Sequence, residues 1–206
     1  MTERIDIRRM PKRAAYDRAT IDSILDEALV CHLGIVWDDG PLVVPTLQAR
    51  AGDDLYVHGS AASRTVRALA GGVEVCLTVT LVDGVVLARS AFHHSVNYRS
   101  VMLFGRAELL DDADEKRRAL QAFTEKLVPG RWPDVRPPSP KELKATAVLR
   151  LPISEASAKV RRGPPVDDEE DYERNVWAGV IPLDVRRLAP DPDPKLKAGV
   201  RVPPYL

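Results

Sequence analysis

Residues 31–58 read CHLGIVWDDGPLVVPTLQARAGDDLYVH, and this stretch decides how the fold is interpreted. Its first apolar run, 31–37, is followed by the turn signal Asp38-Asp39-Gly40 and by a second run, 42–48. A glycine-containing turn between two such runs is typical of a β-hairpin. Another turn precedes a third run, 55–58, so the stretch predicts three antiparallel strands in succession.

The rest of the first 160 residues predicts more strands, with helices interleaved between them. Asp83-Gly84 is interpreted as a turn between two β-branched strands. Helices are expected from Ser60 to Ala70 and from Asp112 to Leu127, each beginning at a residue type that caps helices. Further strands are predicted at 73–81, 85–88, 100–110, 147–153 and 157–160. Strands and helices do not alternate strictly, which favours a closed or nearly closed antiparallel barrel over a doubly wound sheet.

Composition separates the chain into two parts and excludes several classes of function. Fourteen of the 17 prolines lie after residue 128, and proline cannot occupy central strands. We therefore predict one domain over residues 1–163 and a proline-rich arm over 164–206 that packs on the barrel or on a partner. The formal net charge is zero, which argues against nucleic-acid and acidic-membrane partners. Without an apolar signal core or a membrane-spanning run, a cytoplasmic location is expected.

The most informative polar segment runs from His58 to Arg67, where a strand is expected to turn into a helix. Gly59 permits a tight turn, and Ser60 and Ser63 supply hydroxyl donors. Arg64 adds a fork of N–H groups that suits a phosphate. Unpaired backbone N–H groups at a helix start favour the same ligand. The segment predicts a phosphate site; a plain capped helix with solvated arginines is the alternative.

A second polar segment, Asn97-Tyr98-Arg99-Ser100, lies between two apolar strands. Such a group of donors beside an aromatic ring suits the wall of a flavin site, where Arg99 would stabilise negative charge on the ring. A surface loop with a half-buried tyrosine explains the segment equally well. Pro45-Thr46 interrupts the second strand and indicates an edge or a bulge. Such a position can aim backbone N–H groups at a ligand. It is equally often only the edge of a sheet.

Histidines do not indicate a metal site. His93 and His94 are adjacent, so on a strand they would point to opposite faces. No cysteine and histidine spacing suggests zinc, and we predict no metal ligands. The two cysteines, Cys31 and Cys76, are expected to be free thiols inside strands.

Five segments, in this order and spacing, resemble the pyridoxamine 5′-phosphate oxidase-related superfamily, in its flavin-nucleotide-binding and nitroimidazole-resistance-like branch. The segments are 55–60, Ser63-Arg64, 83–90, 97–101 and 105–107. The resemblance covers about residues 13–182, and the segment 97–101 is its most specific part. It implies a mainly β, α+β fold of the FMN-binding type, an antiparallel Greek-key split β-barrel with flanking helices.

The resemblance also implies a homodimer with FMN at the interface, touched by both subunits. It implies that the Ser63-Arg64 neighbourhood holds the phosphate and that Pro45-Thr46 lines the flavin ring. His58 becomes a candidate for protonating a substrate, although a buried or phosphate-bound histidine is the simpler interpretation. Trp177 is a candidate cover for the flavin, and a core tryptophan is the alternative. The expected cofactor-binding residues are Pro45, Thr46, His58, Gly59, Ser60, Ser63, Arg64, Asn97, Tyr98, Arg99, Ser100 and Trp177.

Three functions fit these features. The first is an FMN-dependent oxidoreductase that passes electrons from NAD(P)H to a small acceptor of the nitroaromatic or quinone type. The second is a non-catalytic FMN carrier or sensor. The third is a haem-binding split barrel, for which His93 or His94 would be the ligand. Oxidation of pyridoxamine phosphate is not expected, because the strand at 42–46 lacks the lysine of the true oxidases.

Overall fold

Ten strands in one antiparallel sheet form the framework of the protein. The computed structural model describes residues 3–38 and 40–206. The strands of the described chain are β1 (Ala14–Ala15), β2 (Val30–Trp37), β3 (Gly40–Ala51), β4 (Asp54–Ser60), β5 (Glu74–Leu87), β6 (Ser95–Arg106), β7 (Glu108–Leu109), β8 (Thr146–Pro152), β9 (Glu155–Arg161) and β10 (Gly179–Pro182). Its α-helices are α1 (Arg18–Glu27), α2 (Arg64–Ala70), α3 (Ala113–Leu127) and α4 (Pro140–Ala145).

The sheet curls into a split barrel. Its strand order is β1-β9-β6-β5-β2-β3-β4-β8-β7, and β10 pairs with β5 outside this path. β6 approaches β8 without pairing to it: a β-carbon added to Gly105 would lie 3.0 Å from Cδ1 of Leu151. The predicted mainly β, α+β split-barrel fold is therefore confirmed. No helix in the described ranges combines the length and the apolar character needed to cross a membrane.

Alternation along the strands builds the core. Cys31, Leu33 and Ile35 of β2 are buried, while the side chains between them face outward or lie half-buried. The same pattern on β4, β5 and β6 closes one apolar cluster inside the barrel, and α1 covers it with Ile21, Ile24 and Leu25. Both cysteines are free, and Cys76 is only half-buried.

The predicted hairpin of β2 and β3 is present, with Val30 opposite Leu47 and Trp37 opposite Gly40. Asp38 in its turn has a left-handed φ of 47°, and Asp39 lies outside the described residues. Proline at position 45 is tolerated because β4 pairs with β3 only from Gln48 onward, which leaves that half of β3 at an edge.

One predicted turn is wrong. Asp83-Gly84 lies inside the continuous strand β5, at a bulge between Val82 and Gly84. A β-carbon at Gly84 would come within 3.0 Å of the carbonyl oxygen of Ile181. The glycine therefore serves the close pairing of β10 on β5 rather than a chain reversal.

After β9 the chain is mostly extended, as the proline content predicted. A single 3₁₀ turn spans Glu169–Glu173, and residues 183–202 are all exposed. The far end of this arm touches the barrel again, because the hydroxyl of Tyr205 donates to Asp134 and accepts from Arg131. The division at residue 163 remains a prediction.

Gln48 links β3 to the end of α1. Its amide nitrogen donates to the carbonyl oxygens of Leu25 at 2.7 Å and Ala28 at 2.6 Å, and the side chain is buried. Carbonyls at the C-terminus of a helix lack partners within the helix. Gln48 therefore supplies a donor to both carbonyl oxygens, and that of Leu25 also accepts from the ammonium group of Lys126.

Arg99 links β6 to β5 and to α1. It donates to both carboxylate oxygens of Asp83, at 2.7 and 2.9 Å, and to Glu27. These hydrogen bonds from the guanidinium lower the pKa of Asp83 and of Glu27. Arg99 is therefore committed to an ion-pair network within its own chain.

We expect Gln48→Met to destabilise the protein by about 1–2 kcal/mol, because the carbonyl of Ala28 loses its side-chain donor while that of Leu25 keeps Lys126, and the volume is nearly kept. Urea unfolding measures this loss. Gln121→Met, at an exposed position of α3, is the matched control and should leave the midpoint unchanged. Equal midpoints for the two variants would show that the Gln48 contacts contribute nothing.

Arg99→Met should reduce the free energy of unfolding by about 1–2 kcal/mol near pH 7. The carboxylates have lowered pKa values when folded, so their contribution is present above about pH 5 and is lost as the pH falls through the folded values. The difference between wild type and variant should therefore shrink below about pH 5. Arg117→Met, which breaks an exposed pair with Asp114, is the control. A difference that does not depend on pH would contradict the assignment.

Candidate functional site

A small cavity of about 120 Å³ opens between β3, β4 and α2. Its walls combine hydroxyl side chains with aliphatic ones from β2 and β8. It brings together five of the residues predicted to bind a cofactor, which are Thr46, His58, Gly59, Ser60 and Ser63. Residues from two strands and the turn after them therefore meet as the sequence interpretation expected. We call this space the hydroxyl cavity.

The turn after β4 has a different shape from the one predicted. β4 continues to Ser60 because it pairs with β8 up to the Ser60–Thr146 position, and α2 begins only at Arg64. The helix predicted from Ser60 therefore starts four residues late. Ser63 takes the N-cap position without a capping hydrogen bond from its side chain. Its hydroxyl faces the cavity instead of the helix.

Gly59 lets α2 approach β4 closely. A β-carbon there would lie 3.0 Å from Cγ2 of Val66, which is tighter than most real contacts. Arg64 follows Ser63 and is exposed, and it makes no ion pair within residues 3–38 and 40–206. Its guanidinium is therefore available to an anion, although Arg64 is not among the residues that line the cavity. Because α2 has only seven residues, hydroxyl and guanidinium groups matter more here than a helix dipole.

His58 stands between the hydroxyl cavity and a second space. It lies on β4, opposite Val148 of β8, and its ring meets Phe123 of α3 edge-on with the centroids 4.4 Å apart. Its Nδ1 is buried, with no hydrogen-bond partner in the part of the chain that the structure describes. Burial lowers the pKa of His58 below its ordinary value. The imidazole is therefore neutral near pH 7 and has a free lone pair.

The second space is an apolar cleft of about 440 Å³ on the α3 side of His58. Aromatic and aliphatic side chains from α3 and the following loop form most of its wall. These are Leu120, Phe123, Leu127, Trp132, Val135 and Pro138. Arg136 lies at its rim and donates to Glu142 at 2.8 and 2.9 Å, and this contact lowers the pKa of Glu142.

The sequence analysis missed this apolar cleft. The prolines of the segment at 129–140 favour an extended segment laid across the surface. Trp132, together with the apolar face of α3, was the available signal. A large aromatic residue inside a proline-rich segment is expected to pack against other apolar side chains. Here Trp132 lines the same cleft as His58.

The four polar residues on β6 lie elsewhere. β5 and β2 separate β6 from β3, so the structure does not bring these residues to the hydroxyl cavity within one chain. Asn97 is buried, donates to the carbonyl oxygen of Gly163 at 3.1 Å and accepts from Arg161. Arg99 is held by its two carboxylates. Tyr98 and Ser100 are half-buried, and Ser100 lines a different cavity.

Pro45 and Trp177 are outside the hydroxyl cavity too. Pro45 is exposed opposite His32 on β2. Trp177 is 65% exposed and lies against Gly179, where a β-carbon would come within 2.8 Å of its ring. Neither residue lines the hydroxyl cavity.

His93 and His94 lie on a short 3₁₀ turn. Both contact Ser90: Nδ1 of His93 lies 2.7 Å from its hydroxyl, and Nδ1 of His94 lies 2.9 Å from its carbonyl oxygen. His93 also shares a cluster with Asp167 and Asp171, whose possible ligand atoms lie within 4.8 Å of one another. Burial alone would raise the pKa of Asp167, but hydrogen bonds from Arg89 and Ser90 lower it. That carboxylate is already used inside the protein.

Comparison with known proteins gives close structural matches. The flavocytochrome Anf3 from Azotobacter vinelandii is 46% identical and superposes with a TM-score of 0.94, covering 99% of this chain and 95% of that chain. A protein from Mycobacterium smegmatis described as binding FAD and haem is 39% identical, with a TM-score of 0.90 and coverage of 94% and 95%.

A more distant match is a protein from Bacteroides thetaiotaomicron provisionally assigned to 5-nitroimidazole antibiotic resistance. It is 27% identical, with a TM-score of 0.61, covering 71% of this chain and 86% of that chain. A comparison with curated protein sequences gives no match. The family model described as pyridoxamine 5′-phosphate oxidase matches residues 17–160. The resemblance seen in the sequence is thereby confirmed: this chain belongs to the pyridoxamine 5′-phosphate oxidase family.

Proposed function

We propose that this protein is a redox protein that binds a flavin nucleotide and a haem on the two sides of His58. The observation that carries the proposal is a neutral, unpartnered imidazole between a hydroxyl-lined cavity and an apolar cleft. The two relatives that match nearly the whole chain support it, because one is a flavocytochrome and the other is described as binding FAD and haem.

The hydroxyl cavity fits the phosphate end of a flavin nucleotide. Ser60, Ser63 and Thr46 line it with hydroxyl groups, and Arg64, the residue after Ser63, is exposed and makes no ion pair with any residue that the structure describes. Charge-assisted hydrogen bonds from such groups are the strong ones for phosphate. The sequence resemblance predicted FMN. We propose FAD instead, because the relative that is 39% identical is described as binding FAD, and both flavins carry the phosphate that this cradle would hold.

The apolar cleft fits a haem. A porphyrin needs a wide apolar slot, and Trp132 and Phe123 line one here. His58 would hold the iron because it lines this cleft, makes no side-chain hydrogen bond with any residue that the structure describes, and has a lowered pKa that keeps the ring neutral. We propose it in place of His93 and His94, the ligands expected from the sequence, because neither of them lines the cleft.

When bound, the flavin supplies hydride and single-electron chemistry, and the haem iron exchanges one electron at a time. The chain's own residues hold both groups close to one histidine, and Phe123 and Leu120 exclude water from the cleft. We propose reduced nicotinamide as the donor and a small acceptor of the nitroaromatic or quinone type. A carrier or sensor would bind the same groups without turnover.

We also propose that two copies of this chain form a dimer, with the arm laid across the partner. Residues 183–202 leave the barrel with apolar side chains exposed, including Val185 at 96% and Leu188 at 75%. Yet both ends of the arm are attached, through β10 on β5 and through Tyr205 on Asp134. An exposed segment that carries apolar side chains and is attached at both ends is typical of a surface that a second protein covers.

The cofactor proposal predicts that the purified protein, expressed with haem available, shows flavin bands and a Soret band together. Mass spectrometry of the released flavin distinguishes FAD from FMN. Anaerobic addition of NADH or NADPH should bleach the flavin bands, and turnover with an acceptor separates an enzyme from a carrier. A colourless protein that takes up neither flavin nor haem would refute the proposal.

We predict that His58→Ala weakens haem binding by more than about 100-fold, because loss of a direct ligand exceeds the effect of losing its supporting contacts. Haem titration followed at the Soret band measures this. His32→Ala, an exposed histidine of β2, is the control and should bind as wild type does. Loss of the Soret band in His94→Ala, with His58→Ala unaffected, would move the ligand to the loop after β5.

Deletion of residues 183–206 should convert the dimer to a monomer, because the exposed arc loses its contact area with the partner. Light scattering after size-exclusion chromatography gives the mass. Deletion of 203–206 alone removes the Tyr205 attachment and serves as the comparison. If the long deletion remains dimeric, the arm does not hold the assembly.

A further inference from the structure

We propose that a second cavity of about 450 Å³, on the outer face of β5, β6 and β9, binds the phosphate group of a nucleotide. The identity of that nucleotide rests on the proposed function: it is a free nicotinamide dinucleotide. The two phosphates of FAD share one oxygen, so FAD cannot place one of them in the hydroxyl cavity and the other here, across β2 and β5. The phosphate site itself rests only on the residues described below. We call it the outer cavity.

The floor of the outer cavity is made of short polar side chains in two cross-strand rows. In one row Thr80 lies opposite Ser100, which lies opposite Lys159. In the next row Thr78 lies opposite Met102, which lies opposite Ser157. Side chains alternate across a sheet, so all six face outward while Val79, Val101 and Ala158 between them are buried in the core. Short hydroxyl side chains beside one lysine leave a depression lined with donors.

The N-terminal segment forms the opposite wall. Arg4 binds Glu74 at the start of β5 and Glu155 at the start of β9, and Ile5 is buried. The backbone N–H of Ile7 donates to the hydroxyl of Tyr16 at 3.0 Å. These three contacts hold the segment across the sheet, so that Arg8 and Arg9 line the cavity facing the hydroxyl rows.

Charge in the outer cavity favours an anion. Arg8 is partly neutralised by Glu3 and Asp6, at 3.3 and 3.5 Å. Arg9 and Lys159 make no ion pair with any residue that the structure describes. These two cations, beside the hydroxyl groups of Thr78 and Thr80, match the oxygens of a phosphate. The hydroxyl of Ser100 already donates to the carbonyl oxygen of Lys159 at 3.4 Å, and Ser157 is buried. The volume exceeds what a phosphate needs, and Met102 with Ile5 offers an apolar surface suited to a base or ribose.

The test is calorimetric titration of the purified, flavin-loaded protein with ADP-ribose, which carries the phosphates of a dinucleotide but is redox-inert. The titration is repeated after the flavin has been exchanged for FMN. Binding to both forms is the result expected for a free dinucleotide, and binding only to the FMN form would place the adenylate of FAD here and overturn that assignment. Failure to bind either form overturns the proposal.

Variants make the test specific. Lys159→Gln and Arg9→Gln should each weaken ADP-ribose binding about tenfold, because each removes a charge-assisted hydrogen bond. Thr80→Leu, at an exposed position, fills part of the outer cavity without changing its charge. It should also weaken ADP-ribose binding about tenfold. Lys144→Gln, an exposed lysine of α4, is the control and should bind as wild type does. Unchanged affinity in the first three variants refutes the site, whatever the flavin and haem spectra show.

Discussion

The hydrogen-bonded pairing of β4 with β8 is the constraint on which the candidate site depends. It runs without interruption from Asp54 opposite Pro152 to Ser60 opposite Thr146. Because the ladder keeps the backbone extended to its last residue, His58 cannot turn away from its position between α2 and α3. The same pairing sets where the chain is free to bend, so that Ser63 lines the hydroxyl cavity and Arg64 follows it in the chain.

Hydrogen-bond partners distinguish the polar residues that hold the fold together from those that are available to bind a ligand. Buried Gln48, Asn97 and Asp167 are each held by partners from distant parts of the chain. Three buried side-chain atoms lack a partner among the described residues, but Gln48 and Glu155 are bonded through their other atoms. His58 alone of these three has no side-chain hydrogen bond. An unsatisfied buried nitrogen is costly unless a ligand completes it, which is why the site is centred there.

Sequence patterns predicted the barrel well because each local signal agreed with the global fold. Alternating apolar residues and glycine turns marked β2, β3 and β4, and the cluster at Thr46, His58 and Ser63 followed from the turn after β4. Two features escaped prediction because they depend on tertiary contacts. The bulge at Gly84 looks like a turn until β10 is seen to lie against it. The apolar cleft requires knowing that Trp132 folds back onto α3.

The arginines show why residue type alone does not tell which cations are available to an anion. Arg64 and Arg99 looked equivalent in the sequence, since each follows a polar residue next to a strand. In the fold, two carboxylates bind Arg99, so using it for a flavin would leave Asp83 and Glu27 without their cation. Arg64 can bind an anion without breaking any such contact. The same criterion singles out Lys159 over Arg4 in the outer cavity. Free cations, rather than cations as such, are the groups that indicate anion binding in a chain whose net charge is zero.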